Sequence, residues 1–232
     1  MNAPAPRRIV PATAAAVVAA ALAAGAWYGF VSISSQPIRS VSFAGDLGRV
    51  SPADLDAFAH SVQGASAAAA SLEAVREAAK RIPWVREASV RRRFPDAVQV
   101  TLETHEPLAR WGDASLVDTR GEVFNAEYDR PLPHFRGPEG SAAQVAAMYP
   151  AIGRALAPLG SAVTDVNVSP RGGWQVILES GLTLDVGRAD VEDRLRRFAA
   201  AWPQLASLGV ASRHADLRYA NGFALRTAKT RP

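Results

Sequence analysis

The chain of 232 residues contains no cysteine, so neither a disulfide framework nor a thiolate metal site is available to it. Histidine is scarce as well. The four present, His60, His105, His134 and His214, lie far apart and show no metal-ligand spacing such as H-E-x-x-H; capping or solvated roles suit them. No G-x-S-x-G elbow accompanies the many serines, which leaves a Ser-His-Asp hydrolase without support. Gly137–Pro138–Glu139–Gly140 has no phosphate-loop pattern and reads as a turn. Glu103 and Glu106 are the nearest thing to a glycosidase carboxylate pair, but a strand end leading into Pro107 holds them poorly. Internal repeats and long low-complexity tracts are missing too, apart from an alanine bias.

Charge is absent from one stretch. No Asp, Glu, Lys or Arg occurs between Arg8 and Arg39, and Ala12 to Ile33 is an apolar run. As a helix it spans roughly 33 Å, enough to cross the hydrocarbon layer. Val17, Val18, Leu22, Phe30, Val31 and Ile33 carry its modest insertion energy, and Trp27 and Tyr28 suit an interfacial aromatic belt. A cleaved signal peptide is the alternative, with Arg7 and Arg8 as its n-region and Ala21–Leu22–Ala23 or Ala24–Gly25–Ala26 at the cleavage site. The run continues past those sites, which favours an uncleaved anchor. Under either reading Arg7 and Arg8 keep the N-terminus cytoplasmic and the chain after about Gln36 is exported.

What is present in quantity is apolar surface, 48% of residues, ample for ordinary cores. The net charge of +4 and pI near 9.9 invite a nucleic-acid reading, which the small charge for this length and the exported topology oppose. Anionic membranes or acidic partners fit better. An exported domain without disulfides suits a bacterial periplasm.

Past the anchor, Ile38, Val41 and Phe43 predict a short strand ending at Gly45. Ser51–Pro52 starts a helix with Leu55, Phe58, Ala59 and Val62 on one face. Residues 64–70 form a small-residue connector. A second helix runs from Ser71 with Leu72, Val75, Ala79 and Ile82 together, and Pro83 stops it. Trp84 opens a strand running into Arg91–Arg92–Arg93, Phe94–Pro95–Asp96–Ala97 turns, and Val98, Val100 and Leu102 alternate in a half-buried strand. The order over 37–106 is β-α-α-β-β. Arg91 and Arg93 face one way and Arg92 the other, so they form no continuous stripe. They are either a solvated strand end or a contact for anionic lipid or an acidic partner.

From Pro107 to Thr227 the pattern is one of short strands: 108–111, 115–118 and 123–124. Asn125 to Gly140, rich in Pro and Gly, reads as a surface loop. Ser141 with Gln144 is a capping-box signature before an amphipathic helix that Pro150 should kink or shorten. A meander follows through Val163–Val168, Trp174–Glu179 and Leu182–Val186. A helix capped by Asp190 presents Val191, Leu195, Phe198, Trp202 and Leu205, and a last strand runs His214–Thr227 before a frayed tail at 228–232.

This layout resembles the FtsQ (DivIB-like) family of bitopic cell-division proteins. The first module resembles a POTRA domain, carried by Ile38–Gly45, Pro83–Val90, Arg92, Phe94–Pro95, Val98–Glu103 and Glu106–Pro107. The second part matches at Arg110–Trp111, Leu116–Asp118, Gly121, Val123–Phe124, Leu132–Pro133, Gly137–Gly140, Gly187–Arg188, Arg194–Leu195, Arg197–Phe198 and Asp216–Tyr219. The resemblance implies an α+β chain: cytoplasmic tail 1–11, transmembrane helix 12–33, POTRA domain 37–106 and a mixed β-sheet domain with flanking helices over 107–227. It implies a non-enzymatic scaffold of the inner membrane at the division septum, without cofactor, nucleic acid or small-molecule substrate, that links early and late divisome components. FtsB and FtsL dock through an added FtsB strand, and the POTRA module contacts upstream proteins such as FtsK.

Carried over by residue, the FtsB-binding strand is Arg218, Tyr219, Ala220, Asn221, Gly222, Phe223, Ala224 and Leu225, with Arg171 and Arg218 pairing acidic FtsB residues. The family's aromatic anchor beyond this strand falls at Thr227. A terminal strand leaves its outer N–H and C=O groups open to such a partner. Period-two alternation puts Tyr219, Asn221, Phe223 and Leu225 on one face and leaves open whether that face meets a partner or the core. Rival readings are a POTRA-type periplasmic chaperone or translocation factor, usually with tandem units and a barrel that this length cannot hold, and a membrane-anchored cell-wall hydrolase.

Overall fold

The computed structural model describes residues 12–34, 38–63, 71–94, 96–207 and 212–227. The expected tail over 1–11, the connector 64–70, Gln36, Pro37, Pro95 and the end 228–232 lie outside them. Past the N-terminal helix the chain is α+β, and it divides into two compact units, Met1–Thr104 and His105–Pro232.

Helix α1 covers Ala12–Ser34, 23 residues with no acid in its first turn and no base in its last. Its side chains are described over 16–29, where Val17, Val18, Leu22, Trp27 and Tyr28 are exposed. Among the described residues no helix is long and apolar enough to cross a membrane.

The rest of the first unit is β1 (Ser40–Gly45), α2 (Pro52–Val62), α3 (Leu72–Ala79), β2 (Val85–Arg93) and β3 (Ala97–Thr104). This is the β-α-α-β-β order that the sequence predicts. Ser51 caps α2 by accepting the Ala53 N–H at 3.2 Å, with Pro52 at the first helical position. Phe58 and Val62 of α2 and Val75 and Ala79 of α3 bury against Val98, Val100 and Leu102 of β3. The sheet order is β1-β3-β2, with β1 parallel to β3 and β2 antiparallel to it. β2 begins at Val85 and not at Trp84, because Trp84 sits at φ 74°. A bulky residue there is strained by roughly 1–3 kcal/mol. The ring packs against the core, and Arg49 stands 5.7 Å from its centroid.

The second unit is a mixed sheet of nine described strands: β4 (Pro107–Trp111), β5 (Ser115–Asp118), β6 (Val123–Phe124), β7 (His134–Arg136), β8 (Val163–Val168), β9 (Trp174–Leu178), β10 (Thr183–Gly187), β11 (Ser212–Asp216) and β12 (Ala224–Thr227). Their order is β12-β11-β10-β9-β8-β7-β4-β5-β6. Helices α4 (Ala142–Leu156) and α5 (Val191–Ser207) supply the crossovers between the parallel pairs β7–β8 and β10–β11. Leu195 and Phe198 of α5 and Val145 and Ile152 of α4 close the core over Val166, Val176 and Leu184.

Two expectations change here, and a third is narrowed, since Pro150 does not shorten its helix. The Pro- and Gly-rich stretch 125–140 is not simply a surface loop: His134–Arg136 forms β7, parallel to both β4 and β8, with Phe135 fully buried. Ser141 makes no capping box. It lies in the helical region at φ −85°, and its hydroxyl donates to the Pro138 carbonyl at 2.6 Å instead. Helix α4 continues past Pro150 for a further six residues to Leu156.

Candidate functional site: the open edge of the second sheet

The expected continuous strand His214–Thr227 is a hairpin. β11 and β12 pair antiparallel, Ala215 against Leu225 and Asp216 against Ala224, and Leu217–Phe223 form the connection, with the turn itself at Arg218–Phe223. Of the expected partner strand only Ala224 and Leu225 are therefore extended. The local chemistry explains the turn. Asp216 accepts from the Arg218 backbone N–H at 3.0 Å and from its guanidinium at 2.8 and 2.6 Å, which folds the chain back on itself. Arg197 of α5 donates to the Ala220 carbonyl, and Asn221–Gly222 completes the reversal.

This turn divides the residues that alternation had put on one face. Phe223 is half-buried and meets Phe198 edge-on, centroids 5.1 Å apart at 83°. Leu225 also packs on the core. Tyr219 instead stands 58% exposed at the start of the turn, next to Arg218. The core reading thus holds for Phe223 and Leu225, and an outward reading remains open for Tyr219, Ala220 and Asn221, all exposed.

β12 is the last strand in the sheet order, and its outer edge has no partner among the described residues. Four residues long, it presents Arg226 as an exposed side chain.

Arg171, in the β8–β9 turn, and Arg218 are 47 positions apart in sequence, yet they line one cavity of about 500 Å³. Arg188 and Arg194 line it too, which sequence reading did not anticipate. Gly187 explains the convergence. It sits at φ 91°, and a Cβ there would come 2.6 Å from Arg194 Nη1 and 3.2 Å from Arg218 Cγ. Only glycine lets both side chains cross the backbone so closely. Arg194 donates to the Val186 carbonyl at 2.8 Å, and Arg218 is paired to Asp216. Arg171 and Arg188 have no ion-pair partner among the described residues.

A second opening of about 320 Å³ lies beside Asp216, Arg218, Tyr219 and Ala224. Between the two, the sheet face opposite the helices carries a polar ladder. Asn167 donates to Gln175 at 3.3 Å, Gln175 to Asp185 at 2.9 Å, and His214 Nε2 meets Asp185 at 3.0 Å. The Arg218 guanidinium holds the Asp216 carboxyl below the usual carboxylate range, and its own pKa is raised in turn. Such a site offers peptide hydrogen-bonding groups and fixed positive charge to an extended acidic segment.

Elsewhere, His105, Asp118 and Glu122 each bring a ligand atom within 4.8 Å of the others. Asp118 is already committed. One oxygen accepts His105 Nδ1 at 2.8 Å and the other accepts the N–H groups of Arg120 and Glu122. That arrangement shapes the β5–β6 turn and leaves Asp118 little capacity for an ion.

The fold and this edge define a class: a POTRA-type module followed by a mixed sheet whose terminal strand has no outer partner among the described residues. Two family profiles match in the same order, "POTRA domain, FtsQ-type" over residues 36–105 and "Cell division protein FtsQ/DivIB, C-terminal" over 109–218. Curated proteins agree. The chain is 36% identical to the cell division protein FtsQ of Neisseria gonorrhoeae over 214 residues, 91% of this chain and 88% of that one. It is 39% identical to that of Nitrosospira multiformis over 190 residues, 82% and 80% of the two. For Burkholderia pseudomallei FtsQ the identity is 44% over 168 residues, 69% and 67%. The chain belongs to the FtsQ family of bacterial cell-division proteins.

Proposed function

We propose that this chain is a non-enzymatic inner-membrane scaffold that carries a division-site complex on its open sheet edge. α1 is the anchor, with the N-terminus inside and the POTRA module and sheet domain in the periplasm. Support comes from the sequence rather than from the described side chains of the helix: residues 9–38 carry no charge, and Ala12–Ile33 as a helix spans roughly 33 Å. The POTRA module (37–106) localises the protein and meets upstream partners such as FtsK. The sheet domain (107–227) takes FtsB, and FtsL with it, by strand addition.

The observation that carries the reading is the outer edge of β12, without a partner among the described residues, beside an opening lined by Arg218, Tyr219, Ala224 and Arg226, with Arg218 shared by the cavity that Arg171 and Arg188 line. Main-chain hydrogen bonds along β12 supply affinity that is indifferent to sequence, and the flanking side chains supply selectivity. Tyr219 and the arginines are the residue types that most often dominate an interface. The Arg218–Phe223 turn shortens the strand available to a partner to Ala224–Thr227. Tyr219, Ala220, Asn221 and Gly222 then engage the partner as a turn at the end of the added strand.

Co-purification of the full chain from membranes with FtsB and FtsL tests the assignment. Capture of both by the wild type, and reduced capture when Arg171 and Tyr219 are replaced together, is the expected result. Undiminished capture would overturn the site. A peptidoglycan zymogram is expected to stay blank; a cleared band would return the hydrolase reading.

A further inference from the structure

The β2–β3 hairpin tip plays no part in the edge just described, yet its composition is unusual. Phe94 is 72% exposed, and Arg91, Arg92 and Arg93 beside it are exposed as well. An exposed Phe alone carries no meaning. Its position does. The Asp96 carbonyl of the same turn accepts the Arg39 N–H at 2.8 Å, and Arg39 follows the last residue of α1 by five positions. Five residues reach at most about 18 Å. The tip is therefore bound to the point where the chain enters the small sheet, and β1 and β3 run parallel away from it. Chain entry and hairpin tip share one end of the small sheet.

The register settles how such a tip could meet a surface. Arg92 lies opposite Val98, on the core side, whereas Arg91 and Arg93 lie opposite Gln99 and Ala97 on the other. Arg93 donates to Gln99 at 2.9 Å. Arginines on both sides of a hairpin cannot form a flat stripe for a partner strand or helix. Approached end-on, they stand behind Phe94 on both faces of β2, so that a ring entering the acyl boundary would leave guanidinium groups at headgroup depth.

We infer that Phe94, backed by Arg91, Arg92 and Arg93, docks end-on into anionic phospholipid at the surface of the membrane that α1 crosses. The inference rests on the proposed anchor. Docking gives the POTRA module a second attachment point besides its covalent tether, so the module holds a fixed tilt and does not swing about Arg39.

The absence of cysteine makes a unique probe available. Full-length protein carrying Phe94→Cys with a nitroxide label is reconstituted into vesicles of phosphatidylglycerol and phosphatidylethanolamine, and into phosphatidylcholine alone. The control label is at Gly48→Cys, beyond the opposite end of β1, where a Cβ meets only Asp46 Oδ1 at 3.6 Å, an ordinary contact. Expected in the anionic vesicles is a several-fold lower collision rate of label 94 with a water-soluble nickel chelate than of label 48. That difference should vanish in phosphatidylcholine and when the three arginines are replaced by serine. Equal nickel access at both labels in anionic vesicles, in protein that still floats with the vesicles after carbonate washing, overturns the tip contact and leaves the anchor intact. Protein that fails to float overturns the anchor, and the tip inference with it.

Discussion

Replacing Tyr219 and Phe223 separately should divide binding from folding at the β11–β12 turn. The side chains are four residues apart, but one is 58% exposed and the other meets Phe198 at 5.1 Å. Removing a fully buried Phe costs about 3–5 kcal/mol. Phe223 is only half-buried, so Phe223→Ala should cost about 2 kcal/mol and lower the melting temperature by roughly 6–10 °C for a unit of this size. Tyr219→Ala removes little packing and should stay within about 0.5 kcal/mol, a shift of roughly 2 °C or less. Its effect on FtsB–FtsL capture should be that of a hot spot, about 2 kcal/mol or about 30-fold in affinity. Near-ultraviolet circular dichroism melts read the first quantity, and titration of immobilised protein with the partner pair reads the second. A Tyr219→Ala protein that melts as low as Phe223→Ala, or that binds like wild type, would refute the division.

Gly187→Ala should cost about 1–3 kcal/mol, because it forces a side chain into a left-handed conformation beneath Arg194 and Arg218; it should weaken partner capture even where melts show the fold intact. Phe135→Ala in β7 should destabilise the second unit by about 3–5 kcal/mol, read by hydrogen exchange of β4 and β8. The Asp216–Arg218 pair predicts a pH profile. A carboxyl whose folded pKa is depressed contributes stability fully above the unfolded value of about 3.9, and loses it as pH falls through the lower folded value. Partner capture should be flat from pH 8 to 5 so far as this turn governs it, and should fall only below about pH 4. A loss centred near pH 6 would refute the assignment to this pair.

The first unit was readable because each element announces itself: Ser51–Pro52 starts α2, Pro83 ends the α3 region, and the alternation at Val98, Val100 and Leu102 marks β3. β7 was not readable, because three residues between Pro133 and Gly137 are too short to show a period. Its burial comes from partners on both sides that are distant in sequence. The final strand was over-read for the opposite reason. Period-two spacing persists through Tyr219, Asn221 and Phe223, yet the Asp216 carboxylate clasps Arg218 and turns the chain within that spacing. The open edge followed from its terminal position. The gathering of Arg171, Arg188, Arg194 and Arg218 did not, since it depends on a close crossing over Gly187 that no linear pattern encodes.

An edge proposed to take a foreign strand must also refuse a sibling. β12 is only four residues long and carries Arg226 outward, so two copies laid edge to edge would crowd like charges onto a very short ladder. That charge keeps neighbouring copies from zipping into fibres along this edge, and under the proposed reading it leaves the same rim suited to an acidic strand.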